Sequence, residues 1–292
     1  MRCSSCFGCV PDVVAVGPAA AENVLAIGRR RGLDEPALRL CVDCAERGWA
    51  CGARDDGEIV GIALARRSDD ECYVGDLFVE PSYRGQGVAG DLLDAAFSGA
   101  EATRCLMIDA DDADCCALAL ERGIALQTPV VRLAGATPKE EELLAMAAGA
   151  YRFDVGPIDA ANHAFALDAL DRDTRGAARR FEHEWYSREA TGQAFFLNGE
   201  FVAYAYVWPD GRIGPIAAAS ASYLVQIFAF SVVTLQRVTG ASWCTLLVPG
   251  SNVRVARAAL RCGLKIQERL VFASDAATGD LSRYAGCHRL SF

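Results

Sequence analysis

The segment Val79-Glu80-Pro81-Ser82-Tyr83-Arg84-Gly85-Gln86-Gly87-Val88-Ala89-Gly90 joins a predicted strand to a predicted helix. Pro81 ends the strand, because proline has no N–H to donate to a sheet ladder. Gly85 and Gly87 have no side chain, so the backbone can take unusual dihedral angles and lie close to a ligand. The helix that follows points its free N–H groups and the positive end of its dipole at the turn. The segment therefore predicts an anion site, most naturally for a pyrophosphate.

Two other phosphate-binding motifs fit this segment less well. No Gly-Lys-Ser/Thr follows the glycines, which excludes a Walker A loop. Gly85 to Gly90 does match G-x-G-x-x-G, the fingerprint of dinucleotide-binding folds, but a match of this kind alone is weak. That fold would place the motif near the first strand of a βαβ unit, whereas here an antiparallel hairpin is predicted just before the strand. The context therefore disfavours a dinucleotide site.

Predicted helices and strands alternate on both sides of the turn. A hairpin with the turn Asp55-Asp56-Gly57 precedes it, after a short strand and two helices. Helix Val88–Ala100 follows it, with its apolar residues on one stripe. Strand Leu106–Ile108, helix Asp114–Arg122 and strand Val130–Leu133 complete the first half.

This order of elements carries a resemblance to a known family. Arg84-x-x-Gly87-x-Ala89, after Val79-x-Pro81, resembles the acetyl-CoA-binding motif of the GNAT N-acetyltransferase superfamily. The resemblance covers about residues 10–135. It implies an α/β (α+β) fold with a mixed, mostly antiparallel twisted sheet flanked by helices.

The resemblance also implies a mode of cofactor binding. Acetyl-CoA is expected in a V-shaped gap where the fourth and fifth strands of the fold splay apart. Backbone groups of Leu77, Phe78 and Val79 are expected to pair with the pantetheine arm. The pyrophosphate is expected on the N–H groups of Arg84, Gly85, Gln86, Gly87, Val88 and Ala89. The acceptor amine then attacks the thioester directly, and a base must first take a proton from the ammonium form.

The catalytic groups of the family match less well. The usual tyrosine acid falls on Ala119, and the asparagine that often contacts the cofactor falls on Asp112. Glu71, Asp76 and Asp109 are the candidate bases, although an ordinary surface or turn carboxylate is the simpler interpretation of each. The acidic run Asp109–Asp114 would suit a cationic acceptor.

The second half repeats the pattern of the first. The hairpin at Asn198-Gly199 parallels the one at Asp56-Gly57 with an offset of 142 residues, and Gly263 parallels Gly123 with an offset of 140. Chance similarity of turn chemistry is the alternative to a duplicated fold. The phosphate turn is missing from the copy, where Ala217–Ala221 follows the strand. The whole chain thus resembles bacterial tandem-GNAT proteins with a typical N-terminal and a degenerate C-terminal domain.

The predicted domain organisation follows from this duplication. Residues 1–135 form the acetyl-CoA-binding domain, residues 136–150 a linker and connecting helix, and residues 151–292 the degenerate domain, with an acceptor-side or structural role. The linker is expected to begin at Ala134–Lys139. In the second domain, His183 is expected on a solvated helix face or at the acceptor site, and Tyr204 and Tyr206 in the core.

Charge and apolar content limit the partners. The formal charge of −9 lies in residues 1–137, which carry 13 Lys and Arg against 22 Asp and Glu. An acidic half disfavours nucleic acid and mildly favours a cationic amine, although a solvated acidic surface explains it as well. Ile213–Gln236 holds no charged residue over 24 positions, yet Pro215 and Gln226 favour a strand and a buried helix over a membrane span. We expect no membrane partner, while a homo-oligomer is compatible with the sequence.

The 13 cysteines do not indicate disulfides. No secretory signal is recognisable, because Asp12 interrupts the only early apolar run, so a cytoplasmic protein with reduced thiols is expected. The cysteines with metal-ligand spacing are Cys3, Cys6, Cys9, Cys41 and Cys44. The last two lie in a predicted helix, where the same spacing marks a buried face, and no metal is expected.

Three functions remain for the chain as a whole. The leading hypothesis is an N-acetyltransferase that moves an acetyl group to an amine of a small molecule or a protein. A non-catalytic acyl-CoA sensor is the alternative, motivated by the missing tyrosine. A metal-binding regulator rests on the cysteines alone.

Overall fold

The computed structural model describes residues 11–17, 21–30, 33, 35–100 and 102–292. The chain divides into two compact units, residues 1–106 and residues 107–292. The domain division predicted from the sequence, at residues 135 and 150, stays a prediction. The α/β fold class with a mixed, mostly antiparallel sheet is confirmed.

Unit 1 holds three helices and one sheet in its described residues. The strands pair in chain order, antiparallel except for the last pair: β1 (Asp12–Val16), β2 (Ala50–Asp55), β3 (Glu58–Arg67), β4 (Glu71–Val79) and β5 (Thr103–Asp109). The helices are α1 (Ala21–Arg30), α2 (Glu35–Glu46) and α3 (Val88–Phe97). Helix α3 buries the predicted stripe of Leu92, Leu93, Ala96 and Phe97. Packing of this stripe is the main source of helix stability, since isolated short helices are marginal.

Strand β4 carries a bulge near its middle. Leu64 pairs with Asp76 but Ala65 pairs with Val74, so Gly75 is an extra residue on β4. A bulge bends its strand and increases the local twist. The parallel pairing of β4 with β5 ends at Val74 and Leu106, while β4 continues to Val79. The strand thus leaves its parallel neighbour at the bulge.

Unit 2 contains a five-stranded antiparallel sheet with strand order β13-β10-β9-β8-β7. Its strands are β7 (Asp154–Pro157), β8 (Thr191–Leu197), β9 (Glu200–Val207), β10 (Ile213–Ala218) and β13 (Tyr284–Ala285). Its helices are α4 (Ala113–Glu121), α5 (Glu140–Ala147), α6 (Ala164–Arg175), α7 (Arg180–Glu189), α8 (Leu224–Thr239) and α9 (Val253–Arg261). Helix α8 packs into an apolar core with Ile213, Ile216 and Leu246.

Strand β6 (Ala125–Ala136) pairs with two strands of the second half of the sequence. Leu133 lies opposite both Leu246 of β11 (Trp243–Pro249) and Ile266 of β12 (Lys265–Ser274). This pairing groups β6 with the later residues and explains why the second unit begins before residue 135. The predicted linker start at Ala134 is wrong, because Ala134–Ala136 still pair with β11.

The duplicated plan is visible in matching details. Asp56 and Asn198 both have positive φ angles, of 48° and 53°, and each is followed by a left-handed glycine in a hairpin turn. Parallel pairing joins Cys72 to Arg104 in the first copy and Arg212 to Thr245 in the second. The uncharged stretch from residue 213 forms β10 and the buried helix α8, as predicted. None of the helices in the described residues has the length and hydropathy that a membrane-spanning helix needs.

Candidate functional site

The turn between β4 and α3 is exposed and has a left-handed backbone at both predicted glycines. Gly85 has φ of 74° and Gly87, the N-cap residue of α3, has φ of 86°. A Cβ built on either glycine would meet no atom within 4 Å. Glycine is therefore favoured here by the backbone conformation rather than by crowding. The space beside the turn is open to a ligand.

The amides of this turn are available as donors. Among the described residues, Asp91 is the first of α3 whose N–H bonds back to the turn, to the Gly87 carbonyl at 3.1 Å. No backbone acceptor is found in the described chain for the N–H groups of residues 85–90. Such N–H groups at a helix start, with the helix dipole behind them, favour an anion.

Side chains brace the turn from outside. The Arg84 Nε donates to the Val79 carbonyl at 3.2 Å, and the Gln86 Nε2 donates to the Ser82 carbonyl at 2.9 Å. The Tyr83 hydroxyl donates to Asp55 Oδ2 at 2.6 Å, which ties the turn to the preceding hairpin. Arg84 itself is exposed, so its guanidinium adds positive charge at the edge of the amide cluster.

A nearby carboxylate is neutralised. Glu80 lies beside the turn and pairs with Arg30 at 3.0 Å. This ion pair reduces the repulsion that a free carboxylate would exert on an incoming phosphate. The sequence alone did not indicate Arg30, because it lies 50 positions earlier on α1.

The predicted pantetheine-binding residues lie on the last part of β4. Leu77, Phe78 and Val79 follow the bulge, where β4 is no longer paired with β5. Asp76 stands directly after the bulge and its side chain is buried. Glu71 is also buried, but it lies at the start of β4, where the strand still pairs with β5 through Thr103. Val79 lies eight positions after Glu71 along the strand, a distance of about 26 Å at the usual rise per residue.

Comparisons with known proteins agree with this geometry. Residues 22–123 match the model of the Acetyltransferase (GNAT) family. The match covers about a third of the chain, including β4, the turn and α3. No curated protein sequence matches the chain.

Solved structures extend the likeness to the whole chain. A proposed acetyltransferase from Pyrococcus horikoshii superposes with a TM-score of 0.72 at 14% identity, covering 100% of this chain and 99% of that one. A tandem GNAT protein from the clavulanic acid biosynthesis pathway superposes with a TM-score of 0.63 at 14% identity, covering 91% and 98%. A GCN5-related N-acetyltransferase from Sphaerobacter thermophilus gives 0.55 at 16%, covering 91% and 96%. At these identities the likeness shows the fold alone, and it extends over both halves of the chain.

Most carboxylates of the acidic run that starts at the end of β5 are engaged in ion pairs or in a helix cap. Asp109 Oδ2 lies 3.4 Å from Arg289 Nη1, and Asp111 pairs with Arg269 at 3.0 Å. Asp112 caps α4, since its Oδ1 accepts the Cys115 N–H at 2.9 Å. The prediction that Asp112 contacts the cofactor stays a prediction, and the cap is the role that the structure gives it.

Asp112 has a counterpart in the second half of the chain. Asn252, 140 residues later, caps α9 through the same bond, from the Val255 N–H to Asn252 Oδ1 at 3.2 Å. Asn252 is fully buried, and its Nδ2 also donates to the Tyr284 carbonyl at 2.8 Å. Positions 112 and 252 are therefore helix caps in both halves.

The start of α8, which corresponds to the start of α3, is covered by the chain itself. Gln226, in the first turn of α8, donates through Nε2 to the carbonyls of Ala147 and Tyr151 at 2.7 and 2.8 Å. Its Oε1 accepts the Tyr151 N–H at 3.2 Å. The Tyr151 hydroxyl donates to Ser222 Oγ at 2.9 Å, and the Tyr151 ring packs on Tyr223. The segment after α5 thus lies against the start of α8.

His183 is not solvated, so the prediction of a solvated helix face is wrong, while its placement at the acceptor site stays a prediction. It is buried between Asp171 and Tyr206, with Nε2 and Nδ1 each 2.9 Å from their oxygen atoms. The Tyr204 hydroxyl donates to the other oxygen of Asp171. Tyr204 and Tyr206 are fully buried, as predicted. The sequence around His183 is rich in charged residues, which is typical of a solvated helix face. In the structure these side chains pair with other charged groups inside the fold.

The cysteines of the described residues are free thiols. Cys41 and Cys44 are buried on α2, as the helical interpretation predicted. In the part of the chain that the structure describes, no three His, Cys, Asp or Glu side chains converge in a way that could hold a metal ion. Cys3, Cys6 and Cys9 lie outside the described residues.

Proposed function

We propose that this chain is a tandem GNAT protein and an acetyl-CoA-dependent N-acetyltransferase whose acyl donor binds at the turn Val79–Gly90. The observation that carries the proposal is the exposed turn itself, with two left-handed glycines and a group of N–H donors at the start of α3. Pyrophosphate is the group on coenzyme A that fits such a helix start. The match of residues 22–123 to an acetyltransferase family supports the same donor.

The pantetheine arm runs along β4 in this proposal. The bulge at Gly75 turns β4 away from β5, and Leu77–Val79 follow it toward the turn. An extended amide chain can add to such a strand as a further strand would. The thioester end then lies toward the bulge and Asp76.

Asp76 is the base that we propose. An ammonium acceptor gives one proton to the carboxylate, and the free amine nitrogen attacks the thioester carbon. The new C–N bond forms, the C–S bond breaks, and the departing thiolate takes up a proton. Asp76 fits this role because it is buried directly beyond the bulge. Glu71 fits less well, because it lies where β4 and β5 are still paired.

Direct attack is favoured over an acyl-cysteine intermediate. Cys115 and Cys116 begin α4, after the end of β5. Burial, and next the Asp112 carboxylate, raises the pKa of the Cys115 thiol to about 12. The pKa of Cys116 is raised for the same two reasons. Thiols with raised pKa hold little thiolate near neutral pH, and the thiolate is the nucleophile.

Release of coenzyme A and its affinity test the proposal. Purified protein is incubated with acetyl-CoA and a panel of amines while the free thiol is titrated, and we expect release that depends on an amine. CoA affinity is measured by calorimetry for the wild type and for Arg84→Glu, which places an anion beside the pyrophosphate. We expect the variant to lose binding and Arg39→Glu, the same charge change on the exposed face of α2, to keep it.

The outcomes separate the two functions that the sequence left open. Unchanged affinity in Arg84→Glu would refute the placement of the donor. Tight CoA binding without thiol release from any acceptor would favour the non-catalytic sensor.

A further inference from the structure

Arg289 joins the end of β5, and no sequence motif indicated it. Its Nη1 lies 3.4 Å from Asp109 Oδ2, and its Nη2 lies 3.5 Å from the Met107 carbonyl. Met107 and Asp109 belong to the last three residues of β5, the strand that pairs with β4 in its first part. Both contacts are longer than the 2.7–2.9 Å of a tight charge-assisted bond, by about half an ångström.

Two buried arginines fix the segment that carries Arg289. Arg179, 1% exposed, donates to the Ser291 carbonyl at 2.7 Å and to the Tyr284 hydroxyl at 2.5 Å. Arg175, also 1% exposed, donates from Nε to the Phe292 oxygen at 3.1 Å. Burying a guanidinium is costly, so two of them bound to one short segment hold it firmly in place. Arg289 therefore stands on a rigid support.

The Asp109–Arg289 pair differs from an ordinary surface ion pair. The Arg289 side chain is only 17% exposed, while Asp109 remains 48% exposed. The neighbouring pair Asp111–Arg269 has side-chain exposures of 78% and 67%, so water screens it more strongly. A charge that is partly shielded from water attracts a ligand more strongly than an exposed one.

His288 lies directly before Arg289 in this segment. Its Nδ1 accepts the Leu290 N–H at 3.1 Å, which assigns the proton of the neutral ring to Nε2. Burial, then the charges of Arg212 and Arg289, lowers the pKa of His288 to about 3, so the ring is neutral near pH 7. The segment thus carries a fixed cation at Arg289 next to a histidine that is neutral near pH 7.

We infer that the acceptor is an α-amino acid or a molecule with a free α-amino acid head, held by its carboxylate on Arg289 and by its ammonium on Asp109. An α-amino acid carries both charges on one carbon, side by side, as the two side chains are. Arginine suits the planar carboxylate because its N–H groups form a fork. The inference rests on the proposed function, since it names the substrate class of that reaction, and Arg289 is its specificity residue.

Matched acceptors test the inference. Acetyl transfer is measured with phenylalanine against phenethylamine, histidine against histamine, and lysine against cadaverine, where each pair differs only by the carboxylate. In the wild type we expect kcat/KM to be at least about tenfold higher for the amino acid of at least one pair. Arg289→Gln should raise KM for that amino acid by about tenfold or more, leave its kcat within about twofold, and leave the amine unchanged. Arg269→Gln, the neighbouring exposed arginine, is the control and should leave both substrates unchanged.

A purely structural role of Arg289 gives different results. In that case Arg289→Gln would lower the melting temperature and would change the kinetics of the amino acid and of its matched amine alike. Equal effects on the two substrates, or a preference of the wild type for the amines, would overturn the inference. Direct calorimetric binding of the three amino acids to the wild type and to Arg289→Gln gives a readout that does not need turnover. If no acceptor releases thiol, the proposed function fails. The inference then fails as well unless the amino acids bind the wild type and not the variant.

Discussion

Asp76 is the residue on which the proposed chemistry depends most. Its carboxylate is buried, and it is the first residue of β4 beyond the bulge. Asp76→Asn keeps the shape but removes the base, so we expect kcat to fall by about 100-fold or more with CoA affinity unchanged. Steady-state kinetics and calorimetry measure the two quantities. Asp94→Asn, the same change on the exposed side of α3, serves as the control. A loss in Glu71→Gln instead would move the base to the start of β4.

His288 makes the stability of the fold depend on pH. Its pKa is about 3 in the fold against an ordinary value of 6.5, chiefly because the fold removes much of the water around the half-buried ring. Between pH 3 and 6.5 the unfolded chain therefore binds a proton at His288 that the folded chain does not bind. The free energy of unfolding falls as the pH drops from about 6.5 toward 3. His288→Asn keeps an acceptor for the Leu290 N–H but cannot take up the proton. Urea unfolding at several pH values should show a shallower loss in the variant than in the wild type, and parallel curves would contradict the assignment.

The left-handed residues were predictable one by one. Asp56-Gly57, Gly87, Asn198-Gly199 and Gly263 all stand where turn chemistry placed them, since few residue types tolerate positive φ. His183, Arg30 and Arg289 were not predictable, because their roles depend on partners far along the chain. Asp171, Glu80 and Asp109 lie 12, 50 and 180 positions away from them. Local rules fix the backbone, whereas ion pairs of this kind follow from tertiary packing.

At the scale of elements, the strand partners were the unpredicted part. The helices and strands predicted on either side of the turn were placed within about five residues of their observed ends, because apolar periodicity and glycine stops are local signals. The pairing of β6 with β11 and β12 was missed. The sequence of a strand indicates which of its faces is buried, but it does not indicate which strands lie beside it. The predicted linker began too early for the same reason.

The two helix caps give a prediction at this scale. Asp112 caps α4 on the surface, while Asn252 caps α9 in the interior and also bonds the Tyr284 carbonyl. Asp112→Ala should lower the free energy of unfolding by about 1 kcal/mol, the usual loss of an exposed cap. Asn252→Ala should cost about 2–3 kcal/mol, because it also leaves a buried carbonyl without its donor. Denaturant titration of both variants measures the difference, and equal losses would mean that burial does not distinguish the caps.

At the scale of the whole molecule, the two halves share one arrangement of elements but differ at the start of the helix that follows the turn. The first copy keeps an open turn with left-handed glycines at 85 and 87 before α3. The second copy begins α8 without such a turn. There, Gln226 bonds to Tyr151 and Ala147, and Tyr151 bonds to Ser222, which holds the segment after α5 against the helix start. A Cβ on Gly149 would lie 2.8 Å from the Gln226 Oε1, which shows how closely this segment is packed. The corresponding helix start is thus exposed in one half and packed against the segment after α5 in the other.

This difference predicts the stoichiometry of donor binding. Calorimetry of the full chain with CoA should give one binding event per chain, because a phosphate at the start of α8 would have to displace several hydrogen bonds within the chain. Arg84→Glu should then remove all binding rather than half of it, while circular dichroism confirms that the variant is folded. A second event in the wild type, or a residual event in Arg84→Glu, would mean that the degenerate half still takes the cofactor. In that case the segment after α5 would be a displaceable cover, and Tyr151→Ala should strengthen the residual event by removing its bond to Ser222.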